Sequence, residues 1–135
     1  MSGISRVYET VLYTSDIAGT AEFYEGVLGL RPMTRSELVA SFRLDDGGVL
    51  LIFDRERSAV PGREVPSHGT EGPGHVALSV RAGQLDAFEA ALRARGVAIE
   101  RELTWDAGGR AIYVRDPAGN SVELIEGDAW LDRRD

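Results

Sequence analysis

The chain contains no cysteine among its 135 residues, which excludes disulfides and thiolate-held metals and favours a reducing, cytosolic setting. Long apolar runs are also missing. The longest are short, such as Gly48-Val49-Leu50-Leu51-Ile52-Phe53, and the N-terminus carries no signal-peptide hydrophobic region, so a soluble, cytoplasmic protein without a membrane span is expected. The net charge is -7, and the basic residues, which are arginines, are scattered among acids rather than gathered into a stripe. Neither nucleic acid nor an anionic membrane is therefore expected as a partner. No strand-turn-helix nucleophile motif and no glycine-rich loop leading into a helix is present, which argues against covalent serine or cysteine catalysis and against a nucleotide site.

What the chain does have is an internal repeat. Gly74-His75-Val76-Ala77-Leu78-Ser79-Val80 opens the second half and Asp116-Pro117-Ala118-Gly119-Asn120-Ser121-Val122-Glu123-Leu124-Ile125-Glu126 closes it. Glu9-Thr10-Val11-Leu12-Tyr13 stands 66 residues before His75-Val76-Ala77-Leu78-Ser79, and Arg43, Gly48 and Leu51 stand 72 residues before Arg115, Asn120 and Glu123. A period of this size is too long for solenoid repeats and fits a duplicated half-domain. The copies differ most where side chains could coordinate: Glu9 matches His75, and Leu51 matches Glu123.

Length and an ordinary composition, 43% hydrophobic and 27% charged, point to one domain over residues 1–135. Within it, residues 5–54 read as a first module, 55–73 as a connection, 74–126 as a second module and 127–135 as a tail. In the first module, residues 7–14 alternate as a strand. Ser15-Asp16 offers a helix cap, and Ile17, Ala21, Tyr24 and Leu28 follow at helical spacing until Gly29. Strands are expected at 33–37, 39–44 and 49–53, with Asp45-Asp46-Gly47-Gly48 turning between the last two. Residues 55–73 show no apolar period. The second module repeats the order: strand 75–80, a helix marked by Leu85, Phe88 and Leu92 and ended by Gly96, then strands 98–105, 110–115 and 121–125. Trp130 is expected to pin the tail. The class is α+β, two tandem βαβββ modules, each leaving one sheet face bare of helix; pairing the curved mixed sheets gives a cup with room for a polar interior.

These residues carry a family resemblance. Asp16-Ile17 with Phe23-Tyr24-Glu25-Gly26-Val27-Leu28-Gly29-Leu30, then Gly74-His75-Val76-Ala77-Leu78, then Tyr113-Val114-Arg115-Asp116-Pro117-Ala118-Gly119-Asn120-Ser121-Val122-Glu123 resemble the vicinal oxygen chelate superfamily. That group contains glyoxalase I, methylmalonyl-CoA epimerase, extradiol dioxygenases, fosfomycin-modifying thiol transferases and bleomycin-binding resistance proteins. The resemblance implies a homodimer and a divalent metal held by residues of the first and fourth strands of each module. Carried onto this sequence, those positions are Glu9, Leu51, His75 and Glu123. Leucine cannot coordinate, so three protein ligands remain, and Glu9 replaces the histidine commoner in the first strand.

One imidazole and two carboxylates suit Fe²⁺, Mn²⁺, Zn²⁺, Co²⁺ or Mg²⁺. Alternation puts His75, Ala77 and Ser79 on one side of their strand, where the small side chains would leave room for a ligand. Against metal ligation stand a structural role for His75, an arginine partner for Glu123 and a surface or arginine-paired Glu9. Tyr113, ten residues before Glu123 on the neighbouring strand, matches the tyrosine that serves as a hydrogen-bonding acid in ring-cleaving dioxygenases, or is a half-buried aromatic. His68 in the connection is a second candidate for proton handling, or an exposed loop histidine. Arg43 and Arg115 could clamp a substrate carboxylate or phosphate, or pair with Asp45 and Asp116; Phe42 and Trp105 could line the cavity or fill it. The functional expectation is a metal-dependent lyase, isomerase or dioxygenase acting on a small molecule. The alternative is a metal-free binding protein of the bleomycin-sequestering kind.

Overall fold

A computed structural model describes residues 2–130. It divides into two compact units, with the boundary between Gly72 and Pro73. Each unit contains one four-stranded mixed sheet with helical segments, an α+β architecture.

In the first unit, β1 (Glu9–Thr14) leads into α1 (Ile17–Glu22), followed by β2 (Arg31–Arg35), β3 (Val39–Arg43) and β4 (Val49–Asp54). The sheet order is β1-β4-β3-β2, with β1 parallel to β4 and the other pairs antiparallel. First and fourth strands are thus direct neighbours. Leu12, Thr14, Ala40, Phe42, Leu50 and Ile52 are buried on one face. There the Thr14 and Thr20 hydroxyls bond at 2.8 Å, and the Tyr24 and Phe42 rings meet at 6.0 Å. Glu9, Val11, Tyr13, Ser41 and Leu51 take the opposite, helix-free face by alternation.

The second unit repeats the plan: β5 (His75–Val80), α3 (Leu85–Ala94), β6 (Arg101–Thr104), β7 (Arg110–Arg115) and β8 (Ser121–Glu126), in sheet order β5-β8-β7-β6. The register is the same as in the first unit. Glu9 pairs with Val49 and His75 with Ser121; Ser41 pairs with Leu51 and Tyr113 with Glu123. Leu85, Leu92, Ile112, Val114, Val122 and Leu124 are buried, and Glu126 accepts the Leu85 N–H at 2.9 Å at the start of α3.

Several boundaries differ from the sequence reading. The first strand begins at Glu9, leaving Val7 and Tyr8 exposed. The expected single helix turns into a π-helical segment, Phe23–Val27, before Gly29 ends it with φ 72°. β2 starts at Arg31 and contains Pro32, whose missing N–H an edge strand tolerates because its outer side needs no ladder donor; the register breaks between Pro32 and Thr34. The connection contains a helical turn, α2 (Arg55–Ser58), because Asp54 caps it by accepting the Glu56 and Arg57 N–H groups. Trp130 does not pin the tail: it is 74% exposed, and residues 131–135 lie outside the described residues.

The turn before β8 is built to hold the site-bearing strands. Asp116 Oδ1 accepts the N–H groups of Ala118 and Asn120, and Gly119 supplies the left-handed φ of 86°. Asn120, 1% exposed, donates to Asp116 Oδ2 at 3.0 Å and accepts the Gly74 N–H at 2.8 Å. It thereby ties the start of β5 to the β7–β8 hairpin. Asn120→Ala would strand the Gly74 N–H and remove one donor from the Asp116 carboxylate, so it should cost about 2 kcal/mol, read as a lower urea midpoint at unchanged slope. A loss under about 0.5 kcal/mol would show that this tie is dispensable.

Candidate functional site

The helix-free face of the second sheet carries one cross-strand row: Arg101 on β6, Tyr113 on β7, Glu123 on β8 and Ala77 on β5. His75 sits two residues before Ala77, diagonal to Glu123, and its Nε2 lies 3.4 Å from Glu123 Oε1. The His75 and Tyr113 rings stack at 6.4 Å with an 18° interplanar angle. Ala77 and Ser79 are small, so nothing bulky on β5 covers the imidazole.

The hydrogen bonds of His75 decide what faces Glu123. Nδ1 lies 3.1 Å from the Ser121 carbonyl oxygen and 3.2 Å from the Ser121 hydroxyl. A carbonyl can only accept, so Nδ1 carries the hydrogen and neutral His75 turns a bare Nε2 lone pair toward the carboxylate. Glu123 is 8% exposed, and a buried carboxylate needs compensation. Its partners are the Tyr113 hydroxyl, which donates to it, and His75. No arginine pairs with it among the described residues.

Two acceptors facing each other at this distance require a positive charge between them, either a proton or a metal ion. Ligand atoms each about 2.1 Å from one ion stand roughly 3.0–3.4 Å apart at octahedral and tetrahedral angles. The His75–Glu123 separation fits that spacing, and the Ser121 carbonyl supplies the outer contact that orients a ligating imidazole. The second unit contributes two donors by itself; among the described residues no group of three or more His, Cys, Asp or Glu side chains is assembled. Glu9 lies in the first unit at the register position of His75, exposed and without a hydrogen bond or ion pair among the described residues. Leu51 occupies the register position of Glu123, half-buried and apolar. Ser41, the counterpart of Tyr113, spends its hydroxyl on Thr34 at 2.6 Å. The first sheet therefore lacks the polar row that the second sheet carries.

Tyr113 has its ionisation pushed above the ordinary 10.0, by burial first and then by its hydrogen bond to Glu123 and that group's negative charge; Arg101 opposes weakly. Its hydroxyl stays protonated near neutrality.

The remaining candidates separate. Arg115 is held bidentately by Glu100 at 2.6 and 3.0 Å and donates to the Gly119 carbonyl at 3.0 Å, so its guanidinium is committed to Glu100 and not to the Asp116 pair expected. Arg43 donates to the Gly47 carbonyl at 2.9 Å, the same contact one repeat earlier. Both arginines brace turns. Phe42 is 1% exposed on the helix-covered face against Tyr24, which makes it filling rather than lining. Trp105, half-buried, follows β6 at the turn where its N–H and carbonyl pair with Gly109 and Gly108. His68 does not hang free: its Nδ1 lies 2.6 Å from the Tyr13 hydroxyl, and its ring meets Phe53 edge-on at 4.6 Å. Tyr13, Phe53 and the Ser121 carbonyl escaped the sequence reading. Alternation alone places Tyr13 on the face of Glu9, but its link to His68 spans 55 residues and leaves no local signal.

The comparisons with known proteins agree with this plan. Residues 6–124 match the family model of the Glyoxalase/Bleomycin resistance protein/Dioxygenase superfamily. The chain is 30% identical to a lactoylglutathione lyase of Haemophilus influenzae, over 90% of this chain and 92% of that protein. It is equally identical to the metallothiol transferase FosB of Shouchella clausii, over 94% and 82% respectively. The crystal structure of a lactoylglutathione lyase from Agrobacterium tumefaciens superposes with a TM-score of 0.88 at 30% identity, covering 96% of this chain and 99% of that one. Duplicated βαβββ topology, shared register and a matching family profile over nearly the whole chain lead to one assignment: the protein belongs to the Glyoxalase/Bleomycin resistance protein/Dioxygenase superfamily.

Proposed function

We propose that this chain is a metal-dependent enzyme acting on a small molecule that presents adjacent oxygens, with His75, Glu123 and Glu9 as the protein ligands of one divalent ion. The observation that carries the reading is His75 Nε2 standing 3.4 Å from the buried Glu123 carboxylate, with the Ser121 carbonyl behind the ring. Glu9 is the third donor in this proposal because it holds the first-strand position that His75 holds one repeat later. Leu51 leaves the fourth family position without a ligand, so coordination positions stay open for substrate oxygens. When bound, the ion would supply Lewis-acid stabilisation to an enolate or related oxyanion developing on those oxygens.

The chain's own residues divide the remaining work. Ser121 holds the His75 ring in one orientation, and Glu123 is held by the Tyr113 hydroxyl. Tyr113 Oη keeps its proton at working pH, so it can turn that hydrogen bond from Glu123 to a substrate oxygen as negative charge grows there. Ala77 and Ser79 leave space beside the imidazole. The names of the relatives, a lyase and a thiol transferase, support proton transfer or addition more than oxidative ring opening. Glu123, with no arginine partner, supports a metal-binding site over the alternative of a metal-free binder.

Dialysis against chelator, followed by reloading and elemental analysis, tests the metal directly. Wild type should take up one divalent ion per assembled site and Glu123→Gln none; a wild-type protein that takes up no ion stoichiometrically would end this reading.

Tyr113 provides an independent check. Tyr113→Phe should keep the metal and lose turnover about 100-fold. Tyr113 acts in its protonated form, and burial raises its ionisation, so wild-type activity on a responsive substrate should fall on the alkaline side as Tyr113 loses its proton. The variant should lack that alkaline fall. An unchanged alkaline limb in Tyr113→Phe would remove Tyr113 from proton handling.

A further inference from the structure

The first unit lacks the polar row of the second but holds another built cluster on its own helix-free face. Tyr13 and Phe53 are register partners on β1 and β4. His68 is brought to them by the connection, and its position is fixed from several sides. Its N–H donates to the carbonyl of fully buried Ser58 at 3.0 Å. At the next residue, Gly69, a Cβ would meet the Arg55 carbonyl at 3.2 Å, so the chain lies close on α2. Phe53 packs perpendicular to the imidazole, at 89°, and Tyr13 Oη reaches Nδ1.

The fold does not demand this cluster. One repeat later the same register positions hold Ser79 and Ile125. Nor is the imidazole satisfied at both nitrogens, because Nε2 makes no hydrogen bond among the described residues. Burial raises the Tyr13 ionisation, so its hydroxyl is present as a donor. When Tyr13 donates to Nδ1, the ring hydrogen resides on Nε2, and the group presented outward is an N–H.

Distance assigns the role. Glu9 and Tyr13 lie four residues apart on one face of β1, about 13 Å along the strand. That is beyond direct hydrogen-bond reach of Glu9, which favours a role for His68 at the other end of the substrate. Between them lie Val11 and Leu51, an apolar strip across which an extended molecule can lie.

We propose that Tyr13 and His68 form a donor subsite for the far end of the substrate, a carboxylate or similar acceptor about 10 Å from the oxygens engaged near Glu9, with Tyr13 as the positioning residue that sets the His68 tautomer. The substrate is then a chain-like molecule with adjacent oxygens at one end and an acceptor at the other. The placement rests on Glu9 as a metal ligand, as argued above.

Two measurements test it separately. Long-range ¹⁵N–¹H spectra of the metal-free protein, with His68→Gln for assignment, should show His68 as the Nε2–H tautomer in wild type and a mixture in Tyr13→Phe. A wild-type Nδ1–H tautomer overturns the subsite whatever the metal does. Metal-loaded protein is then titrated calorimetrically with linear 2-oxo diacids of increasing length, and with 2-oxo monoacids as controls. Affinity should rise about tenfold when the second carboxylate reaches His68, the rise should vanish in His68→Leu, and His68→Gln, whose amide N–H can replace Nε2–H, should restore most of it. Equal length profiles in wild type and His68→Leu, or no binding of any diacid to metal-loaded protein, overturn the proposal. Failure of wild type to load metal overturns the reading beneath it and leaves the tautomer result standing.

Discussion

The parallel pairing of β5 with β8 brings an imidazole lone pair and a carboxylate into confrontation. Neither His75 Nε2 nor Glu123 Oε1 can donate to the other while His75 is neutral, yet they stand 3.4 Å apart with Glu123 almost wholly covered. The surroundings hold this arrangement in place: the Ser121 carbonyl fixes the ring, Tyr113 donates to the carboxylate, and Asn120 ties β5 to the hairpin that carries β8. A structure that merely tolerated Glu123 would be expected to give it an arginine. Fifteen basic residues are present in the chain, and none of the described ones is used for that purpose.

Duplication explains where the site lies, and divergence explains its form. Both sheets share one strand order and one register, so each offers the same three positions on its helix-free face. The second sheet fills them with His75, Glu123 and Tyr113. The first fills them with Glu9, Leu51 and Ser41, and Ser41 is closed off by Thr34. The second sheet carries the imidazole, carboxylate and phenol together. The first carries a single acid and, through the connection, an aromatic and imidazole cluster that the repeat does not dictate.

Much of this was legible in the sequence. Period-two alternation and the Asp116–Asn120 turn marked β5, β7 and β8 closely, because buried strands bounded by glycine turns give the strongest local pattern. The equivalence of Glu9 with His75, and of Leu51 with Glu123, needed only the repeat offset, and the register preserves it. Legibility failed where tertiary contacts overrule local pattern. Pro32 sits inside β2 because an edge strand forgives it, α2 exists because Asp54 caps a turn, and Arg115 prefers Glu100, fifteen residues away, to its neighbour Asp116. Phe42 was ambiguous because a strand aromatic faces core or ligand according to a one-residue parity that only the register resolves. His68 was hardest, since nothing near it in sequence announces Tyr13.

What lies between His75 and Glu123 decides whether this face holds a metal ion. A crystal of the protein soaked with a divalent transition metal, with anomalous scattering recorded at that element's edge, should show a peak about 2.0–2.2 Å from both His75 Nε2 and a Glu123 carboxylate oxygen. A soaked crystal in which the two side chains stay in contact with no anomalous peak between them would contradict it.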